Sequence, residues 1–152
     1  MNKILIILLL TQLAQNSYAD DTSGNLTIQV RGLFHERGQV VANLFREGDD
    51  VMKIDTVYLQ SHDKISEKQA QLVFHNLQYG KYALTVFHDE NSNGKLDHNL
   101  LRMPAEPLGF SNGFQLGLFS GLPSFEKLQF IFGPSTDTIV ITLNNNEVEI
   151  RK

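Results

Sequence analysis

The sequence predicts an all-β protein folded as one antiparallel β-sandwich. Three observations carry that reading. About six to eight short stretches alternate apolar and polar residues with a period of two. Clusters of Gly, Asn, Asp and Pro separate them, and no stretch sustains the 3.6-residue period of a long helix. A closed barrel is the alternative arrangement of the same strands.

The chain has 152 residues, and the first 19 read as a secretory signal peptide, leaving 20–152 as a single domain. Lys3 supplies a positive start, Ile4 to Leu10 is unbroken apolar sequence, and Ser17-Tyr18-Ala19 places small residues where a signal peptidase needs them. The run is far short of the ~20 apolar residues that span a bilayer, so no transmembrane segment is expected after cleavage. There is no cysteine, which excludes a lipobox anchor and any disulfide. The remaining roughly 130 residues must stand on their own core, and that length suffices. These features point to a bacterial periplasm or the cell exterior. Thirteen basic against 17 acidic residues give a net charge of −4. No basic patch or basic amphipathic helix stands out, so neither nucleic acid nor a membrane surface is an expected partner.

A polar lead-in, Asp20 to Asn25, precedes the first strand, Leu26 to Val30, whose apolar residues Leu26, Ile28 and Val30 share one face. Gln39 to Phe45 follows, with Val40, Ala42 and Leu44 on one face. The short connection bounded by Gly32 and Gly38 predicts a hairpin between the two. Arg46 to Asp50 reads as a turn, Val57 to Leu59 as a weak strand, and Ser61 to Lys68 as a loop or short edge segment. Gln69 to Phe74 is a stronger strand. His75 to Gly80 then connects, with Tyr79-Gly80 offering the positive φ of a tight turn.

Tyr82 to His88 is apolar on both faces, which predicts a central strand covered on both sides. Leu96 to Met103 suits one turn of helix, and Pro104 and Pro107 stop anything regular. The Gly/Phe-rich segment Leu108 to Phe125 reads as a long ordered loop whose aromatics Phe110, Phe114, Phe119 and Phe125 plug one end of the domain, or else bind a ligand or partner. Lys127 to Phe132 returns to alternation. After the turn Gly133-Pro134-Ser135, Thr138 to Leu143 is the last good strand, with Ile139, Ile141 and Leu143 inward. Asn144 to Asn146 turns the chain into a short tail, Glu147 to Lys152.

The site-like feature is the loop that the central strand enters. Asp89, Asn91, Asn93, Gly94, Lys95 and Asp97 fall at the first, third, fifth, sixth, seventh and ninth places of an EF-hand loop, where Lys95 would contribute its carbonyl. The expected ligand is therefore Ca2+. Leu96 at the eighth place would tuck into the core. The twelfth place, normally a bidentate Glu, holds Leu100, so binding is expected to be weak, in the ~10⁻⁴–10⁻³ M range of extracellular modules. Glu106 or a loop carbonyl would complete the shell once the chain folds back. The alternative is a metal-free turn, since Asp and Asn bond neighbouring backbone N–H groups and Gly takes positive φ.

The string FHDENSNGKLD from Phe87 to Asp97, the prolines after it, and Gly109-Phe110-Ser111-Asn112 resemble a widespread family of small secreted bacterial proteins known as a domain of unknown function. Ile28 to Phe45 is also similar to the opening of that family. The resemblance spans nearly the whole mature chain. It implies an exported immunoglobulin-like or transthyretin-like sandwich and brings no activity with it.

Functionally, the sequence predicts a non-enzymatic binding or structural module for an unidentified protein or small ligand. The candidate binding residues are His88, Phe110, Ser111 and Asn112. The rival reading is a periplasmic hydrolase using His88 and acidic loop residues. Against it, there is no G-x-S-x-G nucleophile motif and no cysteine. His35, His62, His75 and His98 are scattered without H-x-x-x-H spacing, so no zinc site is expected.

Overall fold

The computed structural model describes residues 22–117 and 119–143. The expected leader over 1–19, Asp20 and Asp21, the turn at 144–146 and the tail at 147–152 lie outside the described residues. The elements are β1(Ser23–Arg31), β2(Gln39–Arg46), β3(Leu59–Lys64), β4(Ala70–Gln78), β5(Gly80–Asp89), β6(Leu108–Phe110), α1(Phe125–Leu128), β7(Phe130–Phe132) and β8(Thr138–Thr142). They form two facing sheets, ordered β4-β1-β8 and β3-β2-β5-β6. β7 shares the edge of β5 with β6, end to end: Phe132 pairs with Gly80 and Phe110 with Thr85. All strand pairs are antiparallel except β1 with β8. This is the predicted β-sandwich, with one parallel pair added. No helix among the described residues is long and apolar enough to cross a membrane.

Leu26, Ile28 and Val30 are fully buried from β1, as their alternation requires. The strand begins earlier than expected, at Ser23. The predicted β1–β2 hairpin is not formed. β1 pairs with β4 and β8 while β2 pairs with β3 and β5, so residues 32–38 cross between sheets. The reason lies in the second face of β2. Besides Val40, Ala42 and Leu44, it buries Val41 and Phe45, and a strand apolar on both faces belongs in a sheet covered on both sides.

The chain crosses again at Tyr79, between Gln78 of one sheet and Gly80 of the other. Tyr79-Gly80 is not a positive-φ turn; the left-handed residue is Asn76, at φ 51°. It sits where the β1–β4 register slips, and its N–H donates to Asn25 Oδ1 at 3.2 Å. That is a β-bulge, and it lets β4 run four residues beyond the expected Phe74. The weak strand expected at Val57 to Leu59 and the edge segment after it resolve into one polar edge strand, β3.

Two cores result. One fills the space between the sheets, from Leu26, Ile28, Leu44, Leu72, Leu84, Val86 and Phe132 among others. The second lies on the outer face of the larger sheet. There Val41, Phe45, Ala83 and Phe87 meet Leu108, Phe110, Phe125 and Leu128. The 108–125 segment is thus a lid over a sheet face, and it contains β6. Phe110, Phe114 and Phe125 pack into it, whereas Phe119 is 100% exposed and takes no part. Lys127 and Leu128 belong to α1, so the strand expected from Lys127 shortens to β7. No helical turn forms at Leu96 to Met103. Asn99 Oδ1 accepts from the N–H groups of Leu101 and Met103, and Arg102 takes φ 61°.

Candidate functional site

β5 delivers His88 and Asp89 to the loop. Asp89 is fully buried, and its carboxylate is spent on organising backbone. Oδ1 accepts from the Asn93 N–H at 3.0 Å, and Oδ2 from the Gly94 N–H and the Gln39 side-chain amide, both at 2.7 Å. Burial pushes the Asp89 carboxyl up. The hydrogen bonds from Gln39, Gly94, Asn93 and Ser92 outweigh it and hold the group below the ordinary Asp range. Gly94 takes φ 75°, which the turn requires.

The middle of the loop closes on Asp97. Asn91 Nδ2 donates to one of its oxygens at 2.6 Å and Asn93 Nδ2 to the other at 3.1 Å. The two carbonyl oxygens turn the other way, Asn91 Oδ1 accepting from the Asn93 N–H and Asn93 Oδ1 from the Lys95 N–H. Leu96 packs against the second core, as expected. Leu100, at the twelfth place, is fully exposed. Glu106 does fold back. Its two oxygens accept from the Glu90 and Asp97 N–H groups at 2.9 and 3.0 Å, clamping both ends of the loop. Burial keeps the Glu106 carboxyl above its usual value; the two backbone donors oppose this, and the Asp97 and Asp89 charges add to it. Gly38, at φ +83°, is where β2 begins against the loop. A Cβ there would meet the Asp89 carbonyl and lie 2.8 Å from Glu90 Cα.

The other candidates separate. Phe110 is buried in the second core, edge-on to Phe114 with centroids 5.3 Å apart. Ser111 is fully buried. Its Oγ donates to the Leu128 carbonyl at 2.6 Å and accepts from the Leu84 N–H at 2.9 Å, bracketing α1 to β5. Leu84 lies four residues before His88, about 13 Å along the strand. Asn112 is exposed, with φ 58°, and donates to the Lys127 carbonyl. Ser111 and Asn112 thus bond to β5 and α1, and Phe110 packs in the second core, away from the polar groups of the loop.

His88 has different company. It is 1% exposed, at the end of the inter-sheet core, and its Nε2 lies 2.7 Å from the Arg37 carbonyl. The ring of His35, from the crossing segment 32–38, sits over it with centroids 4.7 Å apart. His35 Nε2 is 3.3 Å from Glu90 Oε1, and the Arg37 guanidinium donates to Glu90 Oε2 at 2.9 Å. Burial raises the Glu90 carboxyl, but the Arg37 hydrogen bond and the nearby His35, His88 and Arg37 charges leave it below its usual value. His35 and His88 are 53 residues apart, so no sequence spacing could have joined them. The crossing that replaces the hairpin brings them together. Two surface depressions, one lined by Arg46, Glu47 and Gly80 to Tyr82, the other by residues 48–51 and 123–126, do not border this corner.

Comparison with curated proteins and with solved structures finds no match. A family model does match, over residues 28–140, and it covers the end of β1, all of β2, the loop and the Gly/Phe lid. The chain belongs to the DUF2141 family of uncharacterised proteins conserved in bacteria.

Proposed function

We propose that the chain is an exported, non-enzymatic binding or structural module whose organising element is the 89–97 loop, with Ca2+ as a weak stabilising ligand of that loop. The observation that carries this reading is the use made of the loop's acids. Asp89 and Glu106 are buried and accept backbone N–H groups, so their carboxyl oxygens hold the chain in place. Asp97 is the more accessible carboxylate, with the Asn91 and Asn93 amides converging on it. It is the group a hard cation would recruit first. The burial of His88 and its bond to the Arg37 carbonyl further favour a module over the rival hydrolase, whose base would have to reach a substrate.

The test is a thermal melt in EDTA and in millimolar Ca2+. Calcium at 100 times Kd adds about 2.7 kcal/mol of stability, and near Kd about 0.4 kcal/mol. The expected result is a rise in Tm that Asp97→Asn removes. Identical melts in the two media would end the calcium part. Turnover of ester, phosphoester or glycoside substrates that is lost in His88→Gln would overturn the module itself.

A further inference from the structure

We propose that His35, His88 and Glu90 form a binding site for a divalent first-row transition-metal ion of the zinc–copper type, distinct from the hard-cation loop beside it. One donor atom from each residue lies within 4.8 Å of the others. On a tetrahedral zinc ion, donors stand about 3.4 Å apart, so closing the site takes a small movement of each side chain. Two imidazoles and one carboxylate are a donor set suited to borderline ions, whereas a Ca2+ site is built from oxygen alone.

Three further observations favour a metal over a simple His–Glu pair. First, a carbonyl can only accept, so the 2.7 Å contact to Arg37 O makes His88 Nε2 the donor, and in the neutral ring Nδ1 then carries the lone pair. A backbone carbonyl fixing one ring nitrogen so that the other can ligate is the usual outer support of a metal-bound histidine. Second, the His35 nitrogen that faces Glu90 is Nε2, at 3.3 Å, and the Arg37 guanidinium already sits against both side chains, 3.5 Å from His35 Nε2 and 2.9 Å from Glu90 Oε2, so the pair accommodates a cation. Third, the site is reachable. The side chains of His35 and Glu90 are 37% and 34% exposed, leaving a solvent-facing side for a fourth ligand.

The competing cation is Arg37, which bonds Glu90 Oε2. Its side chain is 71% exposed, so it can move aside while its carbonyl stays on His88. The site would tie the crossing segment, the end of β5 and the start of the loop together in a chain that has no disulfide.

The experiment uses the full-length, untagged chain, stripped with EDTA, desalted and titrated with Zn2+ by calorimetry, in parallel with NMR of the histidine rings. One equivalent should bind, with the rings of His35 and His88 shifting and those of His62, His75 and His98 unmoved. His35→Gln and Glu90→Gln, both at partly exposed side chains, should each weaken binding about ten-fold or more. Millimolar Ca2+ should leave the Zn2+ affinity unchanged, so the outcome is independent of the calcium reading. No Zn2+ binding, equal affinity in His35→Gln, or shifts confined to His62, His75 and His98 would each overturn the site.

Discussion

Asp89 shows how a single carboxylate can serve a fold. It is buried, yet it stays ionised because four donors surround it, and this gives its pH dependence a definite sign. A group whose folded pKa is depressed stabilises above its unfolded value, about 3.9, and loses that contribution as pH falls through the folded value. Glu106, bonded to the N–H groups of Glu90 and Asp97 in the same loop, has the opposite sign. Its folded pKa is raised, so its favourable share is present below its unfolded value and is lost as pH rises. The two partly cancel in the wild type, and a variant is needed to separate them. Asp89→Asn keeps the shape but turns an N–H donor toward other donors. In EDTA at neutral pH it should cost about 1–3 kcal/mol. The gap to wild type should narrow as pH is lowered toward about 3 in urea melts. A gap that stays constant across that range would show that Asp89 is not ionised in the fold.

At the scale of elements, the lid over the larger sheet is the part whose residues differ most in what they do. Phe125 is buried against Phe45, Phe87 and their neighbours at the start of α1, whereas Phe119 projects into solvent six residues earlier. Both belong to the same Gly/Phe-rich run, and composition cannot tell them apart. Phe125→Ala should lower stability by about 3–5 kcal/mol, the cost of a large aromatic removed from a core. Phe119→Ala should stay within about 0.5 kcal/mol of wild type. Denaturant midpoints distinguish the two. Comparable losses from both would mean that Phe119 is covered in solution.

In the whole molecule, the two sheets meet along their edges as well as their faces. On one side Ser66 and Gln69 close the turn from β3 to β4. On the other, β6 approaches β8 at Gly109, where an added Cβ would lie 2.7 Å from Ile141 Cγ2, 3.0 Å from Leu143 Cδ2 and 3.1 Å from the Thr142 carbonyl. Gly109 has an ordinary strand conformation, so the need for glycine here is one of space. Gly109→Ala should therefore destabilise by about 1–3 kcal/mol through overpacking. The urea midpoint should shift with an unchanged slope. A change below about 0.5 kcal/mol would show that this edge is open.

The strands, their inward faces and the double burial of Tyr82 to His88 were legible in the sequence, because side-chain direction along a strand follows directly from its period of two. The loop was legible for a similar reason. Asp89, Asn93 and Gly94 act on backbone within five residues, and local hydrogen bonding needs no knowledge of the fold. Which strand lies beside which was not legible. A short connection after Arg31 fits a hairpin and a crossing equally well, and the choice fell to the second apolar face of β2, which had to be covered. The pairing of β1 with β8 and the bracket from Ser111 to Leu84 and Leu128 depend on that same choice. So does the meeting of His35 with His88 and Glu90. Period and turn chemistry act within a few residues along the chain, whereas contacts between distant residues exist only once burial has decided how the sheets stack.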